Sequence, residues 1–560
     1  MIRFLLKFTV SFLLLILSIS AIAQSHYPGM FLISFTDKNQ SPFSVSSPEM
    51  YLSSKAILRR EKTKIAITKQ DFPVNAIYID SLKYFGAKPS FSSRWLNAVL
   101  VRMDDSLKMQ ALLKVSFVDS MQYLAPVKSS KKKKIKKSKQ RIKKVETAMM
   151  FAPSDQISYG SSQEQLSLIG LTALHELTLG EGIQIAVLDN GFSGMKTMSV
   201  FASLFDNGQV LGTKEIANPM GDVFAAGSHG TYVMTTMAAF EPDVLVGSAP
   251  AASYWLIHTE DNDYEYPIEE FNWAVGAEFA DSVGVDIITS SLIYSTFDDP
   301  KLNHTHDQLD GKTAIISRAA QMATEKGILV FNSAGNDALK PWHVIAFPAD
   351  AKDVMTVGAV DINGKYALFS SLGLSKNLPI KPNVVAVGEG VKSMSPNSGK
   401  IVAINGTSFS NPTIAGATAI LLKLNPTASP SEIRKAIEES ASQSLKPDSI
   451  LGYGIPNYYL AHILLNKDDM DGFKMVNGFT AMPNPFLTDF QIVYNLTDSQ
   501  KVRLQLFDIA GKLLFEENNL PNSVGLNIKR VRATESLSQG LFIVVLHIGD
   551  EKFSRKIVKK

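Results

Sequence analysis

Residues 182–191 read GIQIAVLDNG, an apolar run that ends in a carboxylate, Asp189, at a glycine turn. A run this apolar is typical of a strand buried on both faces of a sheet. Similar runs follow, separated by helical stretches: VDIITSSL (285–292), GILVFNSAG (327–335) and DVMTVGAV (353–360), and then the helix SFSNPTIAGATAILLKLN (408–425). The alternation predicts an α/β fold over residues 151–466, with a parallel sheet and helices on both faces. In such folds, sites form at the carboxyl ends of the strands.

Length and composition limit the class of protein. The chain has 560 residues, 45% of them hydrophobic and 19% charged. This is ordinary globular composition for about three or four domains, and it excludes a wholly disordered or fibrous protein. The chain contains no cysteine, which excludes a disulfide scaffold, a thiolate metal site and a cysteine nucleophile. Any covalent catalysis therefore uses an oxygen or nitrogen nucleophile.

The N-terminus has the pattern of an export signal over residues 1–23. Arg3 and Lys7 precede the apolar run FTVSFLLLILSIS, and the small residues Ala21 and Ala23 come just before the expected cleavage point. The apolar run is short for a membrane-spanning helix. We therefore predict a cleaved signal peptide and an exported protein, in preference to an N-terminal membrane anchor.

Shifts in composition divide the rest of the chain outside the α/β region. Residues 24–127 mix short strand and helix patterns and predict a small α+β domain. Residues 128–150 form a basic linker, in which 128–144 contain 11 Lys or Arg and no acid. Such a block repels itself and stays solvated, and it has no aromatic residues for base stacking, so we predict no nucleic-acid partner. Short alternating strands predict a small antiparallel β-sandwich over 473–560.

Four polar residues stand at the ends or beginnings of predicted elements. Asp189 ends the strand IAVLD, His229 opens a helix in SHGTYV, Asn336 follows a strand in NSAGND, and Ser408 opens a helix in GTSFSNP. Each alone has an ordinary explanation as a turn residue or a helix cap. Pro412 suits the first turn of the last helix, which places Ser408 at the positive helix end. Together, the chain order Asp, His, Ser with an intervening amide is hard to obtain by chance.

The segments VLDNG, SHGTYV, NSAGND and GTSFSNP resemble the four active-site signatures of subtilisin-like serine proteases. ILGYGIPNYYLA (450–461) resembles the closing segment of that family, so the resemblance covers about 155–466. It implies a secreted serine endopeptidase in which Ser408 attacks the peptide carbonyl, His229 transfers the proton and Asp189 orients the imidazole. It also implies that Asn336 stabilises the oxyanion. No cofactor or metal is required by this chemistry.

The same resemblance implies a pocket for the residue before the scissile bond, lined by Ser291, Leu292, Ile293 and Gly335. The family normally has two glycines where this chain has Ile293 and Tyr294, so we predict a restricted pocket. Two further departures are Asn190, where the family has Ser or Thr, and Thr413, where it often has His. Three functions remain open: an active secreted endopeptidase, a catalytically silent surface-binding relative, and a processing peptidase with narrow specificity.

The flanking domains also resemble known types. Residues 24–127 resemble subtilase propeptides, which implies a precursor inhibited by its own propeptide, although a permanent accessory domain is the alternative. Residues 473–560 resemble the sorting domain of the type IX secretion system through PNPF (483–486), LFDIAGK (506–512) and LSQGLF (537–542). That resemblance implies a Gram-negative cell, passage through the periplasm, and a partner in the type IX machinery. An adhesive or substrate-binding sandwich is the alternative.

Acidic residues are concentrated in the α/β region. Residues 155–466 contain 17 Lys or Arg and 33 Asp or Glu, so 17 − 33 = −16, whereas the whole chain is +3. The predicted mature enzyme is therefore acidic and is expected to favour basic peptide substrates. One stretch, EDNDYE (260–265), is oxygen-rich. It predicts either a hydrophilic surface loop or a calcium site.

Overall fold

The computed structural model describes residues 28–127, 157–373 and 379–466, and most of the C-terminal region (478–482, 484–486, 490–496, 498–522, 525–532 and 537–559). The predicted signal peptide (1–23) and basic linker (128–150) lie outside these residues. Among the described residues, no helix is long and apolar enough to cross a membrane. The chain divides into two compact units, of which the first comprises Met1–Ser47, Ile67–Lys143 and Tyr266–Ile268 and the second the remainder.

The first unit is a small α+β structure, as predicted. Its strands are β1 Gly29–Phe35, β2 Lys88–Ser93, β3 Ala98–Met103 and β4 Val118–Pro126. They form one antiparallel sheet in the order β2-β3-β1-β4. Its helices are α2 Ala76–Tyr84 and α3 Ser106–Leu112, whereas α1, Ser54–Lys62, belongs to the second unit. Apolar side chains of β1 and β3 and Leu82 of α2 form one buried core.

The second unit is built on a parallel sheet. Its strands are β5 Gln184–Asp189, β6 Val210–Glu215, β9 Ser253–His258, β10 Ile287–Ser290, β11 Leu329–Ser333, β12 Met355–Val360 and β13 Val384–Val387. The order is β13-β12-β11-β10-β5-β9-β6, and every neighbouring pair is parallel. Two short antiparallel pairs lie outside it: β7 Phe240–Glu241 with β8 Leu245–Val246, and β14 Val391–Met394 with β15 Ile401–Ile404.

Helices cover both faces of this sheet, which confirms the predicted α/β class. They are α1 Ser54–Lys62, α4 Gln163–Leu168, α5 Thr172–His175, α6 Ala202–Asp206, α7 His229–Ala238, α8 Ile268–Val283, α9 Ile315–Glu325, α10 Thr407–Leu424, α11 Pro430–Glu439 and α12 Tyr458–Leu465. Ile185 and Val187 of β5 share a core with α10. Leu188 points to the opposite face, where a Cβ added at Gly276 of α8 would lie 3.2 Å from its Cδ2.

Helix α1 is joined to α8 by buried ion pairs. Arg60 Nη2 lies 2.9 Å from each carboxylate oxygen of Asp281, and Arg59 also bonds to that carboxylate. Arg59 Nη1 donates a further hydrogen bond of 2.6 Å to the carbonyl of Val285. Buried charges need such partners to offset their lost hydration. A segment N-terminal to the basic linker, Pro48–Ala66, is therefore built into the second unit.

The C-terminal region forms the predicted antiparallel β-sandwich. Its strands are β16 Phe479–Met482, β17 Phe490–Leu496, β18 Val502–Asp508, β19 Leu513–Asn518, β20 Gly525–Val531, β21 Gly540–Ile548 and β22 Glu551–Lys559. They form two sheets, β16-β17-β20 and β19-β18-β21-β22. Buried side chains from both sheets, such as Ile492 and Leu504, share one core.

Candidate active site

The carboxyl end of β5 carries the first predicted catalytic residue. Asp189 is the last residue of this strand and is fully buried. Its Oδ1 accepts a hydrogen bond from His229 Nδ1 at 2.8 Å and another from the Asn190 N–H, also at 2.8 Å. Because Nδ1 faces the carboxylate, Nε2 is the ring nitrogen left to exchange a proton. The His229 side chain is 30% exposed, so this nitrogen remains accessible.

Close packing positions His229, the first residue of α7. A Cβ at Gly230 would lie 2.6 Å from the carbonyl oxygen of Gly191, so only glycine lets α7 lie against the turn after β5. Asn190 Oδ1 accepts the His229 N–H at 3.2 Å. This bond satisfies a backbone donor that a helix N-terminus otherwise leaves unpaired. Asn190, which stands where the family usually has Ser or Thr, is therefore hydrogen-bonded to both Asp189 and His229.

Opposing influences act on the pKa of His229. Burial lowers the pKa, whereas the charge and hydrogen bond of Asp189, followed by the charge of Glu260, raise it. The net effect is a pKa above the ordinary value of 6.5. A base with a raised pKa takes a proton from a hydroxyl group more readily.

Ser408 lies in the first turn of α10, but Pro412 does not. The helix begins at Thr407, so Pro412 lies inside it, and the prediction that it occupies the first turn is wrong. Proline has no N–H to donate to the carbonyl four residues earlier, which here is that of Ser408. Ser291 Oγ donates to this carbonyl instead, at 2.9 Å. Ser291 thus stabilises the backbone that carries Ser408.

Ser408 and His229 are brought together without a direct hydrogen bond. Helices α7 and α10 pack against each other, and the His229 ring centroid lies 5.8 Å from that of Phe409. Ser408 is 8% exposed, and its Oγ makes no hydrogen bond to His229 Nε2 within the described chain. In enzymes without bound substrate, hydrogen bonds between catalytic groups are often long and shorten in the complex.

Asn336 follows β11 and presents its amide N–H groups. Its Oδ1 accepts hydrogen bonds from the Thr407 N–H at 2.9 Å and the Thr407 hydroxyl at 3.1 Å. A backbone N–H can only donate, so the amide orientation is fixed. Nδ2 has no acceptor among the described residues and remains able to donate to a ligand.

Ile293 and Tyr294, which replace the two glycines usual in the family, point to different parts of the site. A Cβ at Gly335, where φ is +106°, would lie 3.0 Å from Ile293 Cδ1. Ile293 therefore reaches the opposite wall of the predicted pocket. Tyr294 is 1% exposed, and its hydroxyl donates to Glu260. Leu292 belongs to the same wall as Ile293, and its carbonyl accepts a hydrogen bond of 3.1 Å from Asn332 Nδ2.

Three segments of the chain match known protein families. Residues 180–454 match the Subtilase family. The chain carries a subtilase domain. Residues 30–141 match the Peptidase S8 propeptide domain of Bacteroidota, and residues 480–560 match the Secretion system C-terminal sorting domain. The chain is therefore the precursor of a serine peptidase that is secreted or displayed at the cell surface.

Curated relatives match the subtilase domain. Subtilisin NAT from Bacillus subtilis subsp. natto is 28% identical over 306 residues, which are 53% of this chain and 72% of the relative. Subtilisin BL from Lederbergia lenta is 29% identical over 294 residues, 52% of this chain and 95% of the relative. The structure of fervidolysin from Fervidobacterium pennivorans is similar to this chain with a TM-score of 0.53 and 18% sequence identity. The match covers 96% of this chain and 77% of fervidolysin, and it shows the fold alone.

An acidic cavity adjoins His229 in the subtilase domain. Its volume is about 480 Å³, and it is lined by Asn190, His229, Glu260, Asp261, Asn262, Asp263, Tyr264, Glu265, Glu269, Ser291, Leu292, Ile293 and Asp298. The sequence pattern suggested an oxygen-rich loop, but not that Glu269 of α8 would join it. Nor did the sequence indicate that Tyr294 would bind Glu260. These pairings depend on tertiary packing, and the only sequence signal for them was the replacement of a glycine by tyrosine.

Proposed function

We propose that the subtilase domain is an active endopeptidase in which Asp189, His229 and Ser408 form the catalytic triad and Asn336 contributes to the oxyanion hole. The observation that carries this proposal is the 2.8 Å contact between Asp189 Oδ1 and His229 Nδ1, which leaves Nε2 available beside the N-terminus of α10. A catalytically silent protein would have no need of this alignment, so the active enzyme is the better supported alternative.

The mechanism uses only groups of this chain. Ser408 Oγ attacks the peptide carbonyl carbon while its proton passes to His229 Nε2. The oxyanion accepts hydrogen bonds from Asn336 Nδ2 and the Ser408 N–H. When the C–N bond breaks, the proton on Nε2 leaves with the amine. Water then attacks the acyl-enzyme in the same way, releasing the carboxylic acid and restoring Ser408, while Asp189 stabilises the imidazolium in both steps.

The direct test uses the mature secreted protein. A serine-directed fluorophosphonate is expected to label it at Ser408, as located by tandem mass spectrometry, and a peptide library is expected to be cleaved. A folded mature protein that neither reacts with the phosphonate nor cleaves any peptide would contradict the proposal. The reaction as written needs no cofactor.

We propose further that Ser291, Leu292, Ile293 and Gly335 line the pocket for the residue before the scissile bond. The contact between Ile293 and Gly335 supports a restricted pocket that takes small side chains. A peptidase with such a pocket cleaves a narrow set of sites, which favours processing over general degradation.

Opening this pocket should broaden specificity. Ile293→Ala removes the side-chain atoms that approach Gly335, so kcat/KM for peptides with Phe or Leu before the scissile bond is expected to rise at least about tenfold relative to Ala peptides. Ile450→Ala, a matched change at an exposed isoleucine, is expected to leave this ratio unchanged. A wild-type enzyme that already prefers Phe would contradict the restricted pocket.

The domain boundaries support a maturation scheme. We propose a signal peptide at 1–23, a propeptide at 24–127, a linker at 128–150, the peptidase at 151–466 and the sorting domain at 473–560. In this scheme the chain crosses the inner membrane, folds in the periplasm and leaves through the type IX machinery. The partners are the enzyme's own propeptide, the secretion machinery and peptide substrates.

Maturation is expected to remove both ends. Intact-mass and N-terminal analysis of secreted material should give a first residue between about 145 and 160, because the solvated basic linker is the segment most open to proteolysis. Deleting residues 473–560 is expected to retain the protein in the periplasm. Secreted protein with residues 24–144 still covalently attached, or unchanged export of the deletion variant, would contradict the scheme.

A further inference from the structure

Three glutamates converge on one wall of the acidic cavity beside His229. Glu260 follows β9 and is 8% exposed, Glu269 is in the first turn of α8 and is 1% exposed, and Glu265, in the loop between them, is partly buried. One carboxylate oxygen of each lies within 4.8 Å of the others. Like charges so close together repel each other unless a cation or protons offset them.

Two of these glutamates, Glu260 and Glu265, have carboxylate oxygens without a hydrogen-bond donor in the described chain. Both donors to Glu260, the hydroxyls of Tyr294 and Thr259, bind Oε1, and Oε2 has no donor among the described residues. The carboxylate of Glu265 likewise receives none there. Although Glu260 as a whole is more than nine-tenths buried, its unpaired Oε2 is not fully enclosed by protein and is therefore open to the cavity. A ligand in the cavity could therefore donate hydrogen bonds to both carboxylates.

The lining of the cavity is rich in carboxyl groups. Six of its residues are Asp or Glu, and it contains no Lys or Arg. Burial, followed by the charges of Glu265 and Asp189, raises the pKa of Glu260 to about 8 despite its hydrogen bonds from Tyr294 and Thr259. Burial and the charge of Asp298 raise the pKa of Glu265 to about 7. A cation in the cavity would favour the ionised form of both groups.

We infer that this cavity is a subsite for a lysine or arginine side chain of the substrate, on the N-terminal side of the scissile bond. The inference rests on the proposed function, because it takes Ser291–Ile293 as the wall for the residue before that bond. The same cavity contacts this wall and His229. The peptidase would then select basic sequences through this subsite and a small residue through the pocket closed by Ile293.

A basic side chain fits the cavity better than calcium does. Calcium sites enclose the ion with six to eight oxygens at 2.3–2.6 Å, whereas this cavity is about 480 Å³ in volume and extends to the catalytic histidine. Three single oxygens match the three N–H donors of an ammonium group or the fork of a guanidinium group. A calcium site at the same glutamates is therefore an outcome for the experiment to detect.

The test measures hydrolysis of quenched peptides that differ only in having Lys, Arg, Ala or Glu at each of the three positions preceding the residue before the scissile bond. At one position, kcat/KM for Lys or Arg is expected to exceed that for Ala by at least about tenfold, the selectivity that one charge-assisted contact provides. In Glu265→Gln this ratio is expected to fall at least about fivefold. Asp206→Asn, a matched change at an exposed carboxylate of α6, should retain the ratio.

The outcomes separate this inference from the proposed function. Equal kcat/KM for Lys, Ala and Glu peptides, in an enzyme that reacts fully with a serine-directed phosphonate, would overturn the subsite but keep the peptidase. If calcium chloride alone raises the melting temperature, Glu265→Gln removes that rise and basic peptides are not preferred, the glutamates form a calcium site and the inference is wrong. Mature protein without labelling or hydrolysis would overturn the proposed function itself.

Discussion

Ser408→Ala is expected to lower kcat by at least about 10⁵-fold, the largest effect among the proposed variants. The variant lacks the oxygen that forms the acyl-enzyme, and a methyl group cannot replace it. In subtilisin, loss of the nucleophile lowers turnover about 10⁶-fold, and the residual activity comes from substrate binding and the oxyanion hole. Progress curves on the best library peptide, together with phosphonate labelling, measure the loss.

A matched variant separates chemistry from folding. Ser410→Ala removes a hydroxyl from the same helix two residues further on, where the side chain is fully buried and donates to the Thr407 carbonyl at 3.1 Å. It is expected to be labelled and to keep activity within about tenfold of the wild type. Both variants should have melting temperatures within a few degrees of it. Hydrolysis by Ser408→Ala at more than about 1% of the wild-type rate would exclude Ser408 as the nucleophile.

The sequence predicted the sheet and its catalytic edge because both depend on local patterns. Apolar runs such as the one before Asp189 belong to strands that are buried on both faces, and parallel strands end at the same edge. The strand pattern alone therefore predicts that Asp189, Asn336 and the N-terminus of α10 lie at one edge of the sheet, and no side-chain contact is needed for that prediction. The order of the seven strands, in contrast, came only from the structure.

Contacts between distant segments were not predictable in the same way. The hydrogen bond from Ser291 to the Ser408 carbonyl compensates for Pro412, yet the sequence alone indicated a conventional first turn. Likewise, Arg59 and Arg60 lie in a helix that resembles many amphipathic surface helices. Only tertiary packing shows both side chains buried on Asp281. Such pairs have no periodic signal, because each depends on where two separate elements meet.

Asp189→Asn is expected to lower kcat about 10⁴-fold while leaving the fold intact, the second largest effect among the proposed variants. The amide has nearly the same shape, but it has no negative charge to stabilise the imidazolium, and its NH₂ group can donate to Nδ1. His229 can then carry its proton on Nε2, which is the wrong tautomer for taking a proton from Ser408. Single-turnover hydrolysis measures the loss, and phosphonate labelling should slow in parallel. Asp222→Asn, the same change at an exposed carboxylate that caps the short 3-10 helix Val223–Ala225, should retain activity within about tenfold of the wild type.

The pH dependence of the residual activity tests the same contact from another direction. Catalysis needs neutral His229, so activity is lost as the pH falls through its pKa, which the charge and hydrogen bond of Asp189 raise in the wild type. Without that charge, burial still lowers the pKa, so the acid limb of the kcat/KM profile should move to lower pH in Asp189→Asn. A purely structural role for Asp189 would leave the limb where it was. An unmoved limb would therefore contradict the assignment of Asp189 as the partner of the catalytic base, even if the overall rate fell.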